Sequence, residues 1–214
     1  MLRKIRIVLA SIFFIALTML FLDFTGIAHA WCGWMAEIQF LPALLALNIG
    51  TIAFLIVLTL LFGRIYCSVI CPLGIFQDII SWISGKRRKK KARFSHSPEK
   101  KWWRYITLIL FFITIIGGFT AIASIIAPYS TYGRIISNLF APIYQWGNNL
   151  LAYFAERANS YAFYHVDVWI KSITTLVIAS ISFIVLIFLA WRSGRTYCNT
   201  ICPVGTLLGF LSKY

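Results

Sequence analysis

"GRIYCSVICPLG", residues 63–74, returns 131 positions later as "GRTYCNTICPVG", residues 194–205. Counted from Gly63 and Gly194, eight of thirteen positions are identical, spelling Gly-Arg-x-Tyr-Cys-x-x-Ile-Cys-Pro-x-Gly twice. A repeat of that length marks an internal duplication and divides the chain into two halves, residues 1–103 and 104–214. Cysteines four apart project from one face if a helix runs through them. Pro72 and Pro203 cannot extend such a helix but suit the first turn of a new one. The run "LGIFQDIISWIS" after Pro72 spaces Ile75, Phe76, Ile79, Ile80, Trp82 and Ile83 as an amphipathic helix expected at an interface, and "VGTLLGFLS" after Pro203 begins the same way. Tyr66 and Tyr197 are expected at headgroup depth. Arg64 and Arg195 are expected to place positive charge near the sulfurs, which favours thiolate over thiol.

Working outward, the 214 residues are 60% hydrophobic and 12% charged, more apolar surface than one soluble core hides. Four apolar runs, about residues 7–22, 42–62, 105–126 and 173–191, approach or exceed the length of helix that crosses a bilayer, and none has a charged side chain in its interior. The fold class expected is therefore an all-α integral membrane protein with four transmembrane helices, arranged as two parallel-topology two-helix repeats, plus interfacial amphipathic helices. Of the 20 Lys and Arg, 17 fall before the first run, between the second and third, or after the fourth. The positive-inside rule then puts both termini and the segment 63–104 in the cytoplasm, as expected for a multi-pass protein of a bacterial inner membrane. Trp31, Trp34 and Trp169 fall at outer ends of the runs and Trp102, Trp103 and Trp191 at inner ends, as an aromatic belt requires. The basic stretch "KRRKKKAR" at 86–93 flanks membrane runs and reads as a topology determinant attracted to anionic lipid, with no nucleic-acid partner. "MLRKIR" with "AHA" at 28–30 imitates a secretory signal, but the apolar stretch is long for one and Asp23 intervenes, so a retained first helix is expected.

Both motifs then lie at the cytoplasmic face, where a lasting disulfide is disfavoured. Single buried cysteines usually pack as small hydrophobes. Packing, however, does not require Cys-x-x-x-Cys-Pro twice when the chain holds one further cysteine, Cys32 in "WCGW". Four soft thiolates, Cys67, Cys71, Cys198 and Cys202, suit an iron–sulfur cluster, zinc or copper(I), and a dithiol can also carry electrons or hand over a metal. The residues alone leave three functions open: electron transfer, metal handling, and a non-redox anchor for partners.

The duplicated motif at membrane-helix ends resembles the polyferredoxin-type membrane proteins related to NapH and NosR. "IQFLPALLALN" (38–48), "PYSTYGRI" (128–135) and "SNLFAPIYQWGNNL" (137–150) extend the resemblance over most of the chain. It implies electron transfer coupled to the membrane, as part of an oxidoreductase, with an iron–sulfur cofactor, quinol, and a ferredoxin-type domain or redox partner protein. Such proteins usually carry a ferredoxin domain with Cys-x-x-Cys-x-x-Cys-x-x-x-Cys-Pro runs after the second motif. No such run occurs before Tyr214, so only Cys67, Cys71, Cys198 and Cys202 match family positions. The family also leads one to expect an acidic residue where Ala127 stands.

The stretch 128–171 is aromatic and lightly charged and is expected to lie on the outer leaflet, with Asp23, Gln39, Asn48 and His165 as candidate polar groups for a quinol slot. Cross-helix hydrogen bonding is the competing role for Gln39 and Asn48, and Asp23 suits a water boundary. No phosphate loop, hydrolase triad or paired carboxylate is present, and His29 and His165 form no ligand pattern.

Overall fold

The computed structural model describes residues 2–23, 26–63, 65–87, 101–157, 164–168 and 172–212. Arg64, residues 88–100 with most of the basic run and His96, Trp169, Lys171 and Lys213 lie outside the described residues. Among the described residues every element is helical and there is no strand. The first half holds α1 (Leu2–Leu22), α2 (Ile27–Glu37), α3 (Phe40–Leu45), α4 (Ile49–Phe62), a π-helical turn at Tyr66–Ile70, and α5 (Pro72–Arg87). The second holds α6 (Lys101–Ile116), α7 (Thr120–Ile126), α8 (Pro128–Ile135), a π-helical turn at Ile136–Phe140, α9 (Ala141–Arg157), α10 (Ile173–Ser193), α11 (Thr196–Thr200) and α12 (Pro203–Leu211).

Two of the four apolar runs form unbroken helices long and apolar enough to cross a membrane, Lys4–Leu22 within α1 and Ile173–Arg192 within α10. The other two are interrupted. Between α3 and α4, Leu47 takes a positive φ of 51°, and Asn48 restarts the helix by accepting the Thr51 amide on its Oδ1 at 3.2 Å. Between α6 and α7, Gly118 turns at φ 76°, a conformation glycine adopts freely. Hydropathy does not register either break, because each uses residues that leave the apolar run intact. Large apolar side chains stand exposed along both long helices, among them Val8, Ile12 and Ile15 on α1 and Ile181, Ile184 and Phe188 on α10.

At the centre, α1 is wedged into the core: Leu17 is fully buried, and Thr18 Oγ1 lies 2.7 Å from the Tyr132 hydroxyl. Tyr132 also packs against Phe14, Phe21 and Phe76, so α8 belongs to the interior. The expectation that residues from 128 onward lie on the outer surface is corrected for this part: Pro128, Thr131, Tyr132, Gly133, Ile135 and Ile136 are buried, whereas α9 keeps exposed apolar residues such as Trp146 and Phe154. Gly133 makes the close approach possible, since a Cβ there would stand 2.5 Å from the Phe21 ring.

The path of the second motif follows from its partners on α5. Ser84 Oγ bonds the Trp191 carbonyl and the Phe76 ring packs on Phe183, so α5 runs parallel to the last turns of α10. Beyond α10 the order inverts: Gly194 faces Ser81, Arg195 pairs with Asp78, and Cys198 meets Gln77. The chain has turned back on itself at Gly194, where φ is 72° and ψ −122°, a region essentially closed to residues with a Cβ. Gly63 has nearly the same angles, φ 66° and ψ −139°, at the end of α4. The first letter of each motif is thus a chain reversal, after which the cysteines climb back beside the helix bundle.

A buried four-cysteine site

After each reversal the motif closes a wide turn. The Cys71 amide donates to the Tyr66 carbonyl at 2.9 Å and the Cys202 amide to the Tyr197 carbonyl at 3.0 Å, a five-residue step in both copies. In the first copy this makes a looser π-type turn through Cys67, a local form common at functional sites, whereas in the second α11 stays α-helical through Cys198 and only its last bond takes the wider step. Cys71 and Cys202 then adopt extended backbone and lead directly into α5 and α12 at Pro72 and Pro203. Each cysteine sits at the start of a helix, where free amides point outward. Gly205 donates its N–H to Cys202 Sγ at 3.3 Å, and Gly74 supplies the equivalent donor to Cys71.

The closing glycine of the motif has a steric reason in both halves. A Cβ on Gly74 would lie 2.1 Å from the Cys67 carbonyl oxygen, and one on Gly205 would lie 2.6 Å from that of Cys198. Only a hydrogen fits between the new helix and the first cysteine. The motif tyrosines are buried in the core. Tyr66 donates to Gln39 Oε1 and accepts the Phe40 amide, both at 3.1 Å, while Gln39 Nε2 reaches the Ile70 carbonyl, also at 3.1 Å. Tyr197 donates to the Ile126 carbonyl at 2.8 Å. Buried backbone and amide groups need partners, and these hydroxyls tie the first motif to the start of α3 and the second to the end of α7.

Cys67, Cys71, Cys198 and Cys202 are all buried and belong to one core cluster. Every one of the six pairings among them is electrostatically coupled, within a half and between halves. The structure therefore brings together the four cysteines singled out from sequence. Arg195 stands beside them, its charge felt at Cys198, Cys67 and Cys71. Burial alone would favour the neutral guanidinium; the bidentate pair with Asp78 outweighs it, and the pKa lies above its ordinary value. Arg64 lies outside the described residues. Sequence reading passed over Gln77 and Asp78, although two polar residues in an otherwise apolar amphipathic run were a visible signal.

Two segments of the chain, residues 44–91 and 175–214, match the family model described as a 4Fe-4S binding domain. Those segments contain all four motif cysteines and leave out Cys32. Over 173 residues the chain is 24% identical to the ferredoxin-type protein NapH of Escherichia coli (strain K12), covering 81% of this chain and 46% of that protein. In this stretch the chain is similar to NapH. It is also 29% identical, over 144 residues, to an uncharacterized protein of Methanocaldococcus jannaschii, covering 64% of this chain and 57% of that one. The chain thus spans about half the length of the relatives it matches, and no solved structure matches it.

Among the described residues, the donor set fits an iron–sulfur cofactor in number and chemistry: four buried sulfurs, amide donors at Cys71 and Cys202, and the Arg195 guanidinium. Among the described residues no three His, Cys, Asp or Glu side chains stand close enough to hold a single metal ion. A tetrahedral zinc with Zn–S near 2.3 Å draws its sulfurs to within about 3.8 Å of one another.

The other candidate polar residues do not form a common site. Asp23 caps α2, accepting the amides of Gly26 and His29 at 3.0 and 3.1 Å. Asn48 caps α4, Gln39 is buried beside the first motif, and His165 is exposed. A cavity of about 740 Å³ lies elsewhere, between α1 and α5, lined by Arg6, Ser11, Phe14, Ser68, Asp78 and Arg195 among others.

Proposed function

We propose that the chain is the membrane module of an electron-transfer protein, with Cys67, Cys71, Cys198 and Cys202 holding one 4Fe-4S cluster between its two repeats. The observation that carries this reading is the convergence of all four sulfurs within the two segments that match a 4Fe-4S binding domain. When bound, the cluster supplies one-electron chemistry. The protein's own part is to exclude water, to set helix-start amides and Arg195 beside the sulfurs, and to fix their spacing through Gly74 and Gly205.

Two long helices with exposed apolar flanks support a place in the bilayer, where α1 and α10 cross and the motifs lie toward the cytoplasmic side. The cavity between α1 and α5 is of a size and polarity that suits a quinol. Its apolar wall holds ring and tail. Ser11 and Ser68 direct their own protons to the Ile7 and Ile65 carbonyls, leaving lone pairs to accept from a quinol hydroxyl, and Asp78 is a further acceptor. Electrons then pass to a ferredoxin-type domain or protein on the cytoplasmic side.

Anaerobic absorption and electron paramagnetic resonance spectra, with iron and sulfide analysis, test the reading. The purified chain is expected to hold about four irons, and the Cys71→Ser, Cys202→Ser double variant to lose the signal. A wild type that binds no iron, or binds a single labile ion, ends it.

A further inference from the structure

The two halves do not offer the sulfurs the same surroundings. Gln77 on α5 has no exposed surface and directs Nε2 at Cys198 Sγ, 3.5 Å away, across the boundary between repeats. Its neighbour Asp78 grips Arg195, the cation coupled to three of the four sulfurs. Adding 131 gives the counterparts Leu208 and Gly209, neither of which has a side chain that donates a hydrogen bond or pairs with arginine. Leu208 is as fully buried as Gln77, so an apolar residue suffices for packing at this position. Gln77 Oε1, moreover, has no hydrogen-bond partner, and leaving a buried acceptor unsatisfied carries a desolvation penalty. An amide kept under that penalty at one of two equivalent positions is explained by what its NH₂ end does.

A donor or cation near a sulfur ligand stabilises the more negative, reduced state of the centre it binds, and so raises its reduction potential. We infer that Gln77, acting through Cys198, and Asp78, acting through Arg195, are positioning residues of the first repeat that set the cluster's reduction potential. The inference rests on the cluster reading above. Among the described residues, the sulfur of Cys198 thus accepts the Gln77 amide and lies within the field of Arg195.

Potentiometric titration of the anaerobically reconstituted chain in detergent tests it, with absorption and electron paramagnetic resonance as readouts. Gln77→Leu installs the residue the other repeat already uses, and Gln77→Met keeps the length without a donor. Each is expected to lower the midpoint so that the reduced-to-oxidised ratio at fixed ambient potential falls roughly tenfold, 59 mV for one electron. Arg195→Gln is expected to shift the midpoint in the same direction. An unchanged midpoint in Gln77→Leu and Gln77→Met overturns the inference, as does failure of both to assemble a cluster, which would make Gln77 structural. A wild type without a cluster fails at the first spectrum and sinks the cluster reading itself, before any variant is compared.

Discussion

At Gly74 and Gly205 the side chain is a single hydrogen because a helix start rests on a carbonyl of the preceding turn. The clash distances of 2.1 and 2.6 Å involve backbone, which cannot swing aside as a side-chain tip would. Gly74→Ala is therefore expected to destabilise the fold by about 1–3 kcal/mol, with Gly205→Ala milder, as thermal unfolding in detergent would show. Tyr66→Phe deletes one hydroxyl but strands two buried groups, Gln39 Oε1 and the Phe40 amide. Its expected cost is about 1–3 kcal/mol in the same assay, more than a surface Tyr→Phe change would show. The residue types of the motif were legible in the one-dimensional chain, since eight repeated letters cannot be missed. Their reasons were not: a tyrosine after Gly-Arg reads as an interfacial anchor until its hydroxyl is seen to bond Gln39, 27 positions away.

Elements here are defined as much by their ends as by their apolar runs. α4 and α10 each stop at a glycine with positive φ and reverse into a five-residue ring that ends in Cys-Pro. A Cβ at Gly63 would meet nothing within 4 Å, so the cost of Gly63→Ala is purely conformational, about 1–3 kcal/mol. That variant is expected to lower the melting temperature and the cluster content together. The cavity belongs to the α1–α5 interface, and Ser11 lines it while being exposed enough to accept a larger side chain. Ser11→Phe is expected to raise the KM for a quinol several-fold and to leave the cluster spectrum unchanged; an unaltered KM would remove the cavity from the quinol path. Apolar length revealed where helices run, yet the breaks at Leu47 and Gly118 escaped it, because a single polar residue, Asn48, or a pair of glycines barely lowers the average over a long apolar run.

For the whole molecule the decisive feature is the meeting of two distant halves. Cys67 and Cys198 are 131 residues apart in the chain and share one buried cluster. A bilayer position predicts that the chain stays with the membrane fraction after alkaline washing, and that a reporter fused near Lys86 reads as cytoplasmic. Release into the soluble fraction would instead assign the exposed faces of α1 and α10 to protein contacts.

By itself the sequence determined composition, periodicity and duplication: a helical, apolar chain with two equal thiol motifs and basic residues gathered on one side. These are local or additive properties, legible because helix formation and hydropathy depend on neighbours a few positions away. Tertiary structure alone decided that the four sulfurs converge, that the motif tyrosines turn inward, and that Gln77 and Asp78 of one half serve a cysteine and an arginine of the other. Those facts depend on where chain reversals send each segment and on which buried polar atoms are left to find partners, and neither quantity is a sum over positions in a string.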